Sequence, residues 1–333
     1  MYLWGLGIKA GTMASLTIEN FLKAKNEKGE ASREVCAALI ALCSAAKKIA
    51  KLAAGNGIGT DNLGSLTGAE NTDGDEQKAL DVLADQLICS ALAPTGVSAY
   101  LSEERDEAVI FEGSDSQIVA ASDPLDGSSN IDTNLTVGTI FSLYPAAADS
   151  WLREGRAQQA AGFFAYGPQT VLLLTTGQGI DGFCLNEEGQ FVQMDWQPQI
   201  PATANEFAIN AANSRYWPAK VQSYIDTLLA GVDGPRGTNF NMRWNGSLVA
   251  DAFRIFRRGG VFLYPEDIRK NYENGRLRLV YEANPIAFLV EQAEGRATDG
   301  KIDILDITPT SYHMRVPLIF GSADEVDSFH SEQ

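Results

Sequence analysis

The sequence predicts a protein of the α/β class, because three hydrophobic patterns follow one another along its 333 residues. Apolar residues at every third or fourth position predict helices over residues 32–54 and 75–92. Short strand-like segments follow between residues 97 and 175, and helices and strands alternate from residue 218 onward. At roughly 150 residues per domain, we expect two regions with an extensive shared interface, 14–200 and 201–333.

The first region begins with the most regular helical pattern in the chain. Leu39, Leu42, Ala46 and Ile49 recur at helical spacing, and Gly55 can end that helix. Residues 55–75 are rich in Gly, Asn and Asp and lack periodicity, so they predict a long mobile loop. Strands are predicted over 97–101, 118–122, 135–144, 158–166 and 170–175.

The second region combines helix-start signals with short apolar runs. Pro218 favours the first turn of a helix that extends to residue 229. Ser322 and Glu325 have the spacing of a capping box. Further helices are predicted over 247–258 and 284–295, and strands over 261–264, 277–281 and 317–320.

Composition and charge exclude several kinds of partner. Asp and Glu total 43 against 26 Lys and Arg, and the net charge of −17 repels nucleic acid and anionic membrane surfaces. No apolar run approaches the ~20 residues of a membrane span. Residues 1–13 lack the basic head and long apolar stretch of a secretory signal, so we expect a cytoplasmic protein.

Cysteine and histidine offer little to a catalytic site. Four cysteines in a chain of this length do not make a disulfide framework, and the absence of a CxxC pair argues against thiolate zinc. The two histidines, His313 and His330, both lie near the C-terminus, which leaves little for a Ser-His-Asp triad. If the protein is an enzyme, carboxylates must carry its chemistry.

Acidic residues concentrate at the ends of three predicted strands: Glu103 and Glu104, Asp123 and Asp126, and Glu282. Hard cations such as Mg²⁺ prefer oxygen ligands and are often bound together with substrate phosphate. Several neighbouring carboxylates are costly to ionise without a cation, so convergence of these clusters would predict a site for several metal ions.

Two more acidic residues, Asp75 and Asp81, lie where the predicted loop enters the second helix. They do not share one face of that helix, so Asp75 would have to act from the helix entrance. Taken alone, these two residues also fit an ordinary helix cap and an exposed helical position, and residues 103–105 fit a solvated turn.

The segment DPLDGSSNID, residues 123–132, is more specified than an ordinary turn requires. Its small residues let backbone N–H groups and hydroxyls approach an anion closely. A metal cluster beside such a phosphate cradle predicts metal-assisted transfer of a phosphoryl group to water.

This segment, followed by VGTIFSLY (137–144), resembles the signature of class I fructose-1,6-bisphosphatases, in the lithium-sensitive phosphatase superfamily. The resemblance extends over about residues 15–330, through GDEQKALDVLAD, YLSEE, RWNGSLVAD, GGVFLYP and LRLVYEANPIAF. The short DPxDG core belongs to the whole superfamily, which includes inositol monophosphatases. The longer GSSNID form and the C-terminal segments are specific to the bisphosphatases.

The resemblance implies a layered α/β/α/β/α sandwich of the sugar phosphatase type, assembled as a homotetramer. It also implies about two to three Mg²⁺ ions per subunit, for which Mn²⁺ can substitute. The implied metal ligands are Asp75, Glu103, Asp123, the Leu125 carbonyl, Asp126 and Glu282. The implied catalytic residues, which orient and deprotonate the attacking water, are Asp81 and Glu104.

The resemblance also implies two phosphate sites. The 1-phosphate site comprises Asp126, Gly127, Ser128 and Ser129, and the 6-phosphate site comprises Asn213, Tyr216, Arg243, Trp244, Tyr264 and Arg276. In the family, the residue matching Arg243 is lent by a neighbouring subunit. Arg276 replaces a lysine of the family and keeps its charge. Trp244 replaces a tyrosine, and its indole N–H cannot reproduce the hydroxyl, so this pocket is altered.

The implied activity is that of a phosphoric monoester hydrolase, a fructose-bisphosphatase of gluconeogenesis or Calvin-cycle carbon metabolism. It would convert fructose 1,6-bisphosphate to fructose 6-phosphate and phosphate. Sedoheptulose 1,7-bisphosphate is an alternative substrate, which would need a longer pocket. An inositol monophosphatase-like enzyme is a second alternative, against which the cationic pair Arg243 and Arg276 argues. A non-catalytic metal-binding protein is a third, against which Asp81 and Glu104 argue.

Overall fold

The computed structural model describes residues 16–55, 66–70, 76–113, 117–146 and 151–332. Within these residues the α-helices are α1 (Ile18–Glu27), α2 (Arg33–Gly55), α3 (Ala79–Leu92), α4 (Ala219–Leu229), α5 (Leu248–Arg258), α6 (Asn284–Gln292) and α7 (Ala323–Ser331). The first strands are β1 (Leu66–Glu70), β2 (Glu76–Lys78), β3 (Ala99–Ser102), β4 (Val109–Ile110), β5 (Ile118–Asp126), β6 (Val137–Pro145), β7 (Ala160–Tyr166), β8 (Thr170–Thr175), β9 (Asp181–Leu185) and β10 (Phe191–Gln193). The remaining strands are β11 (Glu206–Ile209), β12 (Asn241–Met242), β13 (Val261–Tyr264), β14 (Leu277–Arg278), β15 (Arg296–Thr298), β16 (Arg315–Val316) and β17 (Leu318–Gly321). None of the helices in these ranges is long and apolar enough to cross a membrane.

Two large sheets form the frame of the molecule. The first has eight strands in the order β10-β9-β8-β7-β6-β5-β3-β4, and only the β3–β5 pair within it is parallel. The second has five strands in the order β12-β11-β13-β17-β15. Because β3 and β5 run parallel, the residues that follow them emerge at the same edge of the first sheet.

The eight-stranded sheet is buried on both faces, because side chains alternate along each strand. Phe164 of β7 faces a core shared with α1, α2 and α3, and it packs 5.4 Å from Phe141. Its neighbour Phe163 faces the opposite core, where it lies 6.2 Å from Phe256 of α5. Helices therefore cover both sides of this sheet.

The five-stranded sheet shares the second core and has a third core behind it. Phe262 and Phe320 face the layer formed by α5 and α6. Phe207 faces α4 and α7, which contribute Tyr224 and Phe329. The resulting order of layers is helices, sheet, helices, sheet, helices, so the predicted α/β/α/β/α sandwich is confirmed. The division between residues 200 and 201 stays a prediction.

Some predicted elements have different limits in the structure. The pattern over 75–92 is a short strand followed by a helix that begins at Ala79, and residue 75 lies outside the described residues. Within the predicted loop over 55–75, residues 66–70 pair with β2 as a strand, and the other described residue, Gly55, ends α2. No helix is predicted over residues 18–27, where α1 forms.

Two predictions near the C-terminus are wrong. Only Leu277–Arg278 of the strand predicted over 277–281 is extended, and a π-helical turn over Leu279–Ala283 continues directly into α6. The capping box is also absent, because the Ser322 hydroxyl accepts from the Gly260 N–H at 3.1 Å and the Glu325 side chain pairs with an arginine.

Candidate active site

The first two acidic residues of the site reach one side of β5 because the strand is irregular between them. Residues three positions apart on a regular strand point to opposite faces. Pro124 cannot donate a ladder hydrogen bond, and the register of β5 against β6 shifts between Asp123 and Asp126. The carboxylates of Asp123 and Asp126 consequently lie in one buried group.

Asp126 is held by the N-terminus of α5. The Ser247 hydroxyl donates to the Asp126 carboxylate at 2.8 Å, and the amides of Leu248 and Val249 donate at 3.2 and 3.0 Å. A helix N-terminus stabilises an anion through its free N–H groups and its dipole. This arrangement fixes the orientation of the Asp126 carboxylate.

Glu282 reaches the same group from the π-helical turn Leu279–Ala283. The Arg278 amide donates to the Glu282 carboxylate at 2.6 Å. Oxygen atoms of Glu282, Asp123 and Asp126 all lie within 4.8 Å of one another, and all three residues are buried. Short π-helical turns are rare and often occur at functional sites.

The carboxylate group is electrostatically unfavourable by itself. Burial raises the pKa of Asp123 well above its usual range, and repulsion from Glu103 and Asp126 raises it further. Burial and repulsion from Glu103 likewise raise the pKa of Glu282, against a lowering contribution from Arg278. A group of oxygen donors that repel one another fits a hard divalent cation such as Mg²⁺.

Glu103 and Glu104 lie on the turn that follows β3, beside this group. The Glu103 amide donates to the Ser122 carbonyl at 3.1 Å, which continues the β3–β5 pairing up to Asp123. The Glu103 carboxylate lies 3.4 Å from the Arg278 guanidinium. The Glu104 amide donates to the Ser102 hydroxyl at 3.3 Å. The predicted convergence of strand ends is therefore found for these acidic residues.

Asp81 lies in the first turn of α3 and is only 3% exposed. It is therefore not the solvated helical residue that composition alone would suggest. Asp75, the other acidic residue predicted in this segment, lies outside the described residues.

The residues after Asp126 form a tight, backbone-rich turn. Gly127 has φ +72°, and a Cβ at this position would lie 2.8 Å from the Ser247 Cβ. Ser128, Ser129 and Asn130 form a 3₁₀ turn that begins two residues after Asp126, so the turn follows the carboxylate group directly in the chain. The Asn130 side chain donates to the Asn245 carbonyl at 3.1 Å and so ties this turn to the segment that leads into α5. This geometry is compatible with the predicted phosphate cradle.

Two of the residues predicted for the second phosphate site meet beside the end of β13. Asn213 and Tyr264 line one pocket. Burial raises the pKa of Tyr264, Arg276 lowers it, and Glu282 raises it, which places the hydroxyl within electrostatic range of both charges. The Tyr264 side of the predicted second site therefore faces the charge of Glu282.

Aromatic rings support the cations of this second site. The Arg276 guanidinium lies 4.6 Å over the Tyr272 ring, and Arg269 lies 4.4 Å over the ring of Tyr216. Trp244 stacks on Phe262 with ring centroids 5.7 Å apart. These contacts fix the rings, and the Arg269 guanidinium is in turn held by the Asp267 carboxylate.

Arg243 differs from the other predicted ligands because its side chain is 54% exposed. Its Nε lies 3.8 Å from the Glu206 carboxylate, which also pairs with Arg254 at 2.9 Å and Arg258 at 3.5 Å. Arg243 adjoins β12, an edge strand of the five-stranded sheet. An exposed cation at a sheet edge can reach a neighbouring molecule.

Sequence reasoning missed three residues that hold the site together: Ser247, Arg278 and Arg269. Ser247 precedes an apolar run with helical spacing, so its role as the N-cap of α5 has a sequence signal. Arg278 and Arg269 have no comparable signal, because their contacts with Glu103 and Tyr216 join segments that are distant in the chain.

Two family models match almost the whole chain. The model described as "Fructose-1-6-bisphosphatase, N-terminal domain" matches residues 11–195, and the model described as "Fructose-1-6-bisphosphatase, C-terminal domain" matches residues 200–332.

Proteins with similar sequences carry the same family name. A Xanthobacter autotrophicus protein named "Fructose-1,6-bisphosphatase class 1 2" is 50% identical over 306 residues, which cover 89% of this chain and 92% of the relative. A Sinorhizobium medicae protein named "Fructose-1,6-bisphosphatase class 1" is 49% identical over 323 residues, which cover 94% of this chain and 92% of the relative.

A solved structure has the same fold over nearly its full length. The crystal structure of Leishmania major fructose-1,6-bisphosphatase in holo form aligns with a TM-score of 0.87 at 31% identity, and it covers 96% of this chain and 99% of that one. Together with the two family models, this similarity shows that the chain belongs to the class 1 fructose-1,6-bisphosphatase family.

Proposed function

We propose that the protein hydrolyses the 1-phosphate of fructose 1,6-bisphosphate and releases fructose 6-phosphate and inorganic phosphate. The observation that carries this proposal is the buried group of Asp123, Asp126 and Glu282 beside a backbone-rich anion cradle. Family membership, with relatives about half identical, supports the substrate.

The oxygen-only donor set supports Mg²⁺ as the cofactor. The residues that would hold it are Asp123, Asp126 and Glu282, together with Glu103, the Leu125 carbonyl and Asp75. When bound, Mg²⁺ supplies positive charge that polarises the phosphoryl group and stabilises the departing sugar oxygen.

Two carboxylates of the chain are proposed to prepare the attacking water. Asp81 is buried on α3, and Glu104 is half-buried on the turn after β3. One proton of the water passes to a carboxylate oxygen of this pair as the water oxygen bonds to phosphorus. The bond between phosphorus and the C1 oxygen breaks, and that oxygen takes up a proton from solvent water to give the sugar hydroxyl, while the carboxylate returns its proton to solvent.

The turn over residues 127–129 is proposed to bind the oxygens of the reacting phosphate. Its amides and hydroxyls are fixed because Gly127 packs against Ser247 and Asn130 bonds to Asn245. Donors that need no reorganisation stabilise the charge of the transition state better than mobile donors do.

The far phosphate is proposed to bind at Asn213, Tyr216, Tyr264 and Arg276, together with Trp244, whose ring packs against that of Tyr264. Arg243 is exposed and adjoins an edge strand, which supports its delivery to the site of an adjacent subunit in a homotetramer. Sedimentation of the purified protein tests this assembly directly, since a monomer would leave the site without Arg243.

We further propose a cytoplasmic enzyme of central carbon metabolism. All four cysteines are free thiols, which is typical of a reducing compartment. The net charge of −17 suits a small-molecule enzyme that does not bind nucleic acid or anionic membranes.

A phosphate-release assay tests the proposed activity. We expect turnover of fructose 1,6-bisphosphate with Mg²⁺, loss of turnover with excess EDTA, and recovery when Mg²⁺ or Mn²⁺ is restored. Sedoheptulose 1,7-bisphosphate and inositol 1-phosphate serve as comparison substrates. A faster rate on either comparison substrate, or turnover that is insensitive to EDTA, would contradict the proposal.

A further inference from the structure

We propose that Arg105 and Asp85 form a positioning pair, which holds the turn that carries Glu104 against the helix that carries Asp81. This inference rests on the proposed roles of Glu104 and Asp81 in preparing the water. It assigns no contact with the substrate to either member of the pair.

The contact between the two side chains is bidentate. The Arg105 Nε donates to one Asp85 carboxylate oxygen at 3.1 Å, and a terminal nitrogen of the same guanidinium lies 2.5 Å from the other oxygen. The Asp85 side chain is 7% exposed and the Arg105 side chain 33% exposed. A planar, two-point contact of this kind fixes orientation as well as distance.

Each member of the pair lies close in the chain to one proposed catalytic carboxylate. Asp85 lies one helical turn after Asp81 on α3, and residues four apart share a helix face. Arg105 immediately follows Glu104 in the turn after β3. The ion pair therefore links α3, which carries Asp81, to the turn after β3, which carries Glu104.

The backbone of Arg105 is fixed from two further directions. Its amide donates to the Ser102 carbonyl at 3.2 Å, and its own carbonyl accepts from the His313 Nε2 at 3.0 Å. The His313 ring packs 5.4 Å from the ring of Tyr281, the neighbour of Glu282. Because the turn is already held to β3 and to the π-helical turn, the ion pair with Asp85 completes its attachment to α3.

Alternatively, the Arg105–Asp85 ion pair could only stabilise the fold. The positioning role and this purely stabilising role predict different kinetics. A stabilising pair would change the amount of folded enzyme without changing the turnover of each folded molecule. A positioning pair would lower kcat in folded enzyme, because misplacing a catalytic group by about 1 Å can cost on the order of 10²-fold. The KM for the substrate would change little, since neither residue belongs to the proposed phosphate sites.

The decisive variants are Arg105→Met, Asp85→Asn and the double variant. Either single variant leaves one charge without its partner, which can destabilise the fold. The double variant removes both charges, so it should recover thermal stability yet keep the low kcat. We expect kcat for fructose 1,6-bisphosphate to fall about 10- to 100-fold in each variant, with KM within about threefold of wild type. The losses in the two single variants should not add in the double variant.

Three comparisons complete the experiment. Arg105→Lys keeps the charge but not the two-point contact, and should have an intermediate kcat. Arg296→Met, which removes the ion pairs with Asp303 and Asp327, should leave kcat unchanged. Fructose 6-phosphate should bind the double variant as tightly as wild type by calorimetry, because its phosphate site is intact.

The outcomes separate this inference from the proposed function. Wild-type kcat in the folded double variant would overturn the positioning role, as would a loss of kcat fully explained by unfolded protein. If the wild-type enzyme released no phosphate from fructose 1,6-bisphosphate, the proposed function would fail, and the positioning role with it.

Discussion

Ser247 lies 121 residues from Asp126 in the chain, and its hydroxyl donates to the Asp126 carboxylate at 2.8 Å. The same hydroxyl accepts from the Ala250 amide at 3.4 Å and so caps α5. One side chain therefore begins a helix and orients a proposed metal ligand. We therefore expect helix stability and metal affinity to be coupled at this position.

Replacing Ser247 with alanine should affect both properties. Loss of the cap should lower the free energy of unfolding by about 1–2 kcal/mol. Loss of the hydrogen bond should raise the Mg²⁺ concentration needed for half-maximal activity by about tenfold, the range seen when a residue that orients a metal ligand is removed. Urea unfolding and Mg²⁺ titration measure the two effects.

The matched control is Ser32→Ala, because the Ser32 hydroxyl accepts from the Val35 amide at 3.1 Å at the start of α2. This variant should lose similar stability but keep the wild-type Mg²⁺ requirement. An unchanged Mg²⁺ requirement in Ser247→Ala would show that the hydroxyl does not support the metal site.

Gly127→Ala should disturb the phosphate cradle by a steric clash as well as by backbone strain at a positive φ. The new Cβ would lie 2.8 Å from the Ser247 Cβ, in addition to the strain of φ +72°. We expect kcat to fall at least about tenfold, because the turn must shift away from α5. Gly96→Ala isolates the backbone strain, since Gly96 has φ +85° and nothing within 4 Å of its Cβ position. Similar kcat values in the two variants would contradict a steric role for Gly127.

The stability of the metal-free protein should fall as the pH rises. Burial and mutual repulsion raise the pKa values of Asp123 and Glu282, and burial raises that of Asp126. Above about pH 4, where these groups ionise in the unfolded chain, the folded state holds more protons than the unfolded state. The free energy of unfolding therefore decreases with pH until the raised pKa values are passed.

Thermal unfolding in EDTA and in Mg²⁺, at several values between about pH 5 and pH 8, measures this effect. The decrease in Tm should be steeper in EDTA, because bound Mg²⁺ offsets the repulsion. Asp123→Asn in EDTA should show a shallower decrease than wild type, which separates the cluster from the general effect of the acidic net charge. Parallel Tm curves in EDTA and Mg²⁺ would contradict the assignment of the cluster as a metal site.

Arg243→Ala should raise the KM for fructose 1,6-bisphosphate about tenfold or more, because a charge-assisted phosphate contact contributes about 1.5–3 kcal/mol. Arg258→Ala is a matched control, since Arg258 also pairs with Glu206 and is similarly exposed. Steady-state kinetics should show an increase in KM for the first variant only. Equal KM values would remove Arg243 from the far phosphate site.

Local sequence patterns predicted the elements that are long and strongly periodic. The helix predicted over 32–54 is α2 (Arg33–Gly55), and the strand predicted over 170–175 is β8. The apolar run over 277–281 has the composition of a strand, but its last three residues lie in the π-helical turn. Continuation into α6 decides that geometry, and no local propensity specifies it.

The kinds of residue that form the site could be predicted from the sequence, but their arrangement in space could not. Acidic residues after strands indicated a metal centre, and Asp123, Asp126 and Glu282 converge as expected. Their orientation depends on contacts between distant segments, such as the α5 amides on Asp126 and the Arg278 amide on Glu282. The roles of Asp81 and Glu104 stay predictions.

Glu104 has the most direct role in the proposed mechanism, and a single comparison tests that role. Phosphate release from fructose 1,6-bisphosphate should be measured at saturating Mg²⁺ for Glu104→Gln and for Glu107→Gln, an exposed glutamate on the same segment. We expect kcat to fall about 10²–10⁴-fold in Glu104→Gln, with fructose 6-phosphate binding unchanged, and to stay at the wild-type value in Glu107→Gln. A kcat for Glu104→Gln close to that of wild type would contradict the proposed mechanism.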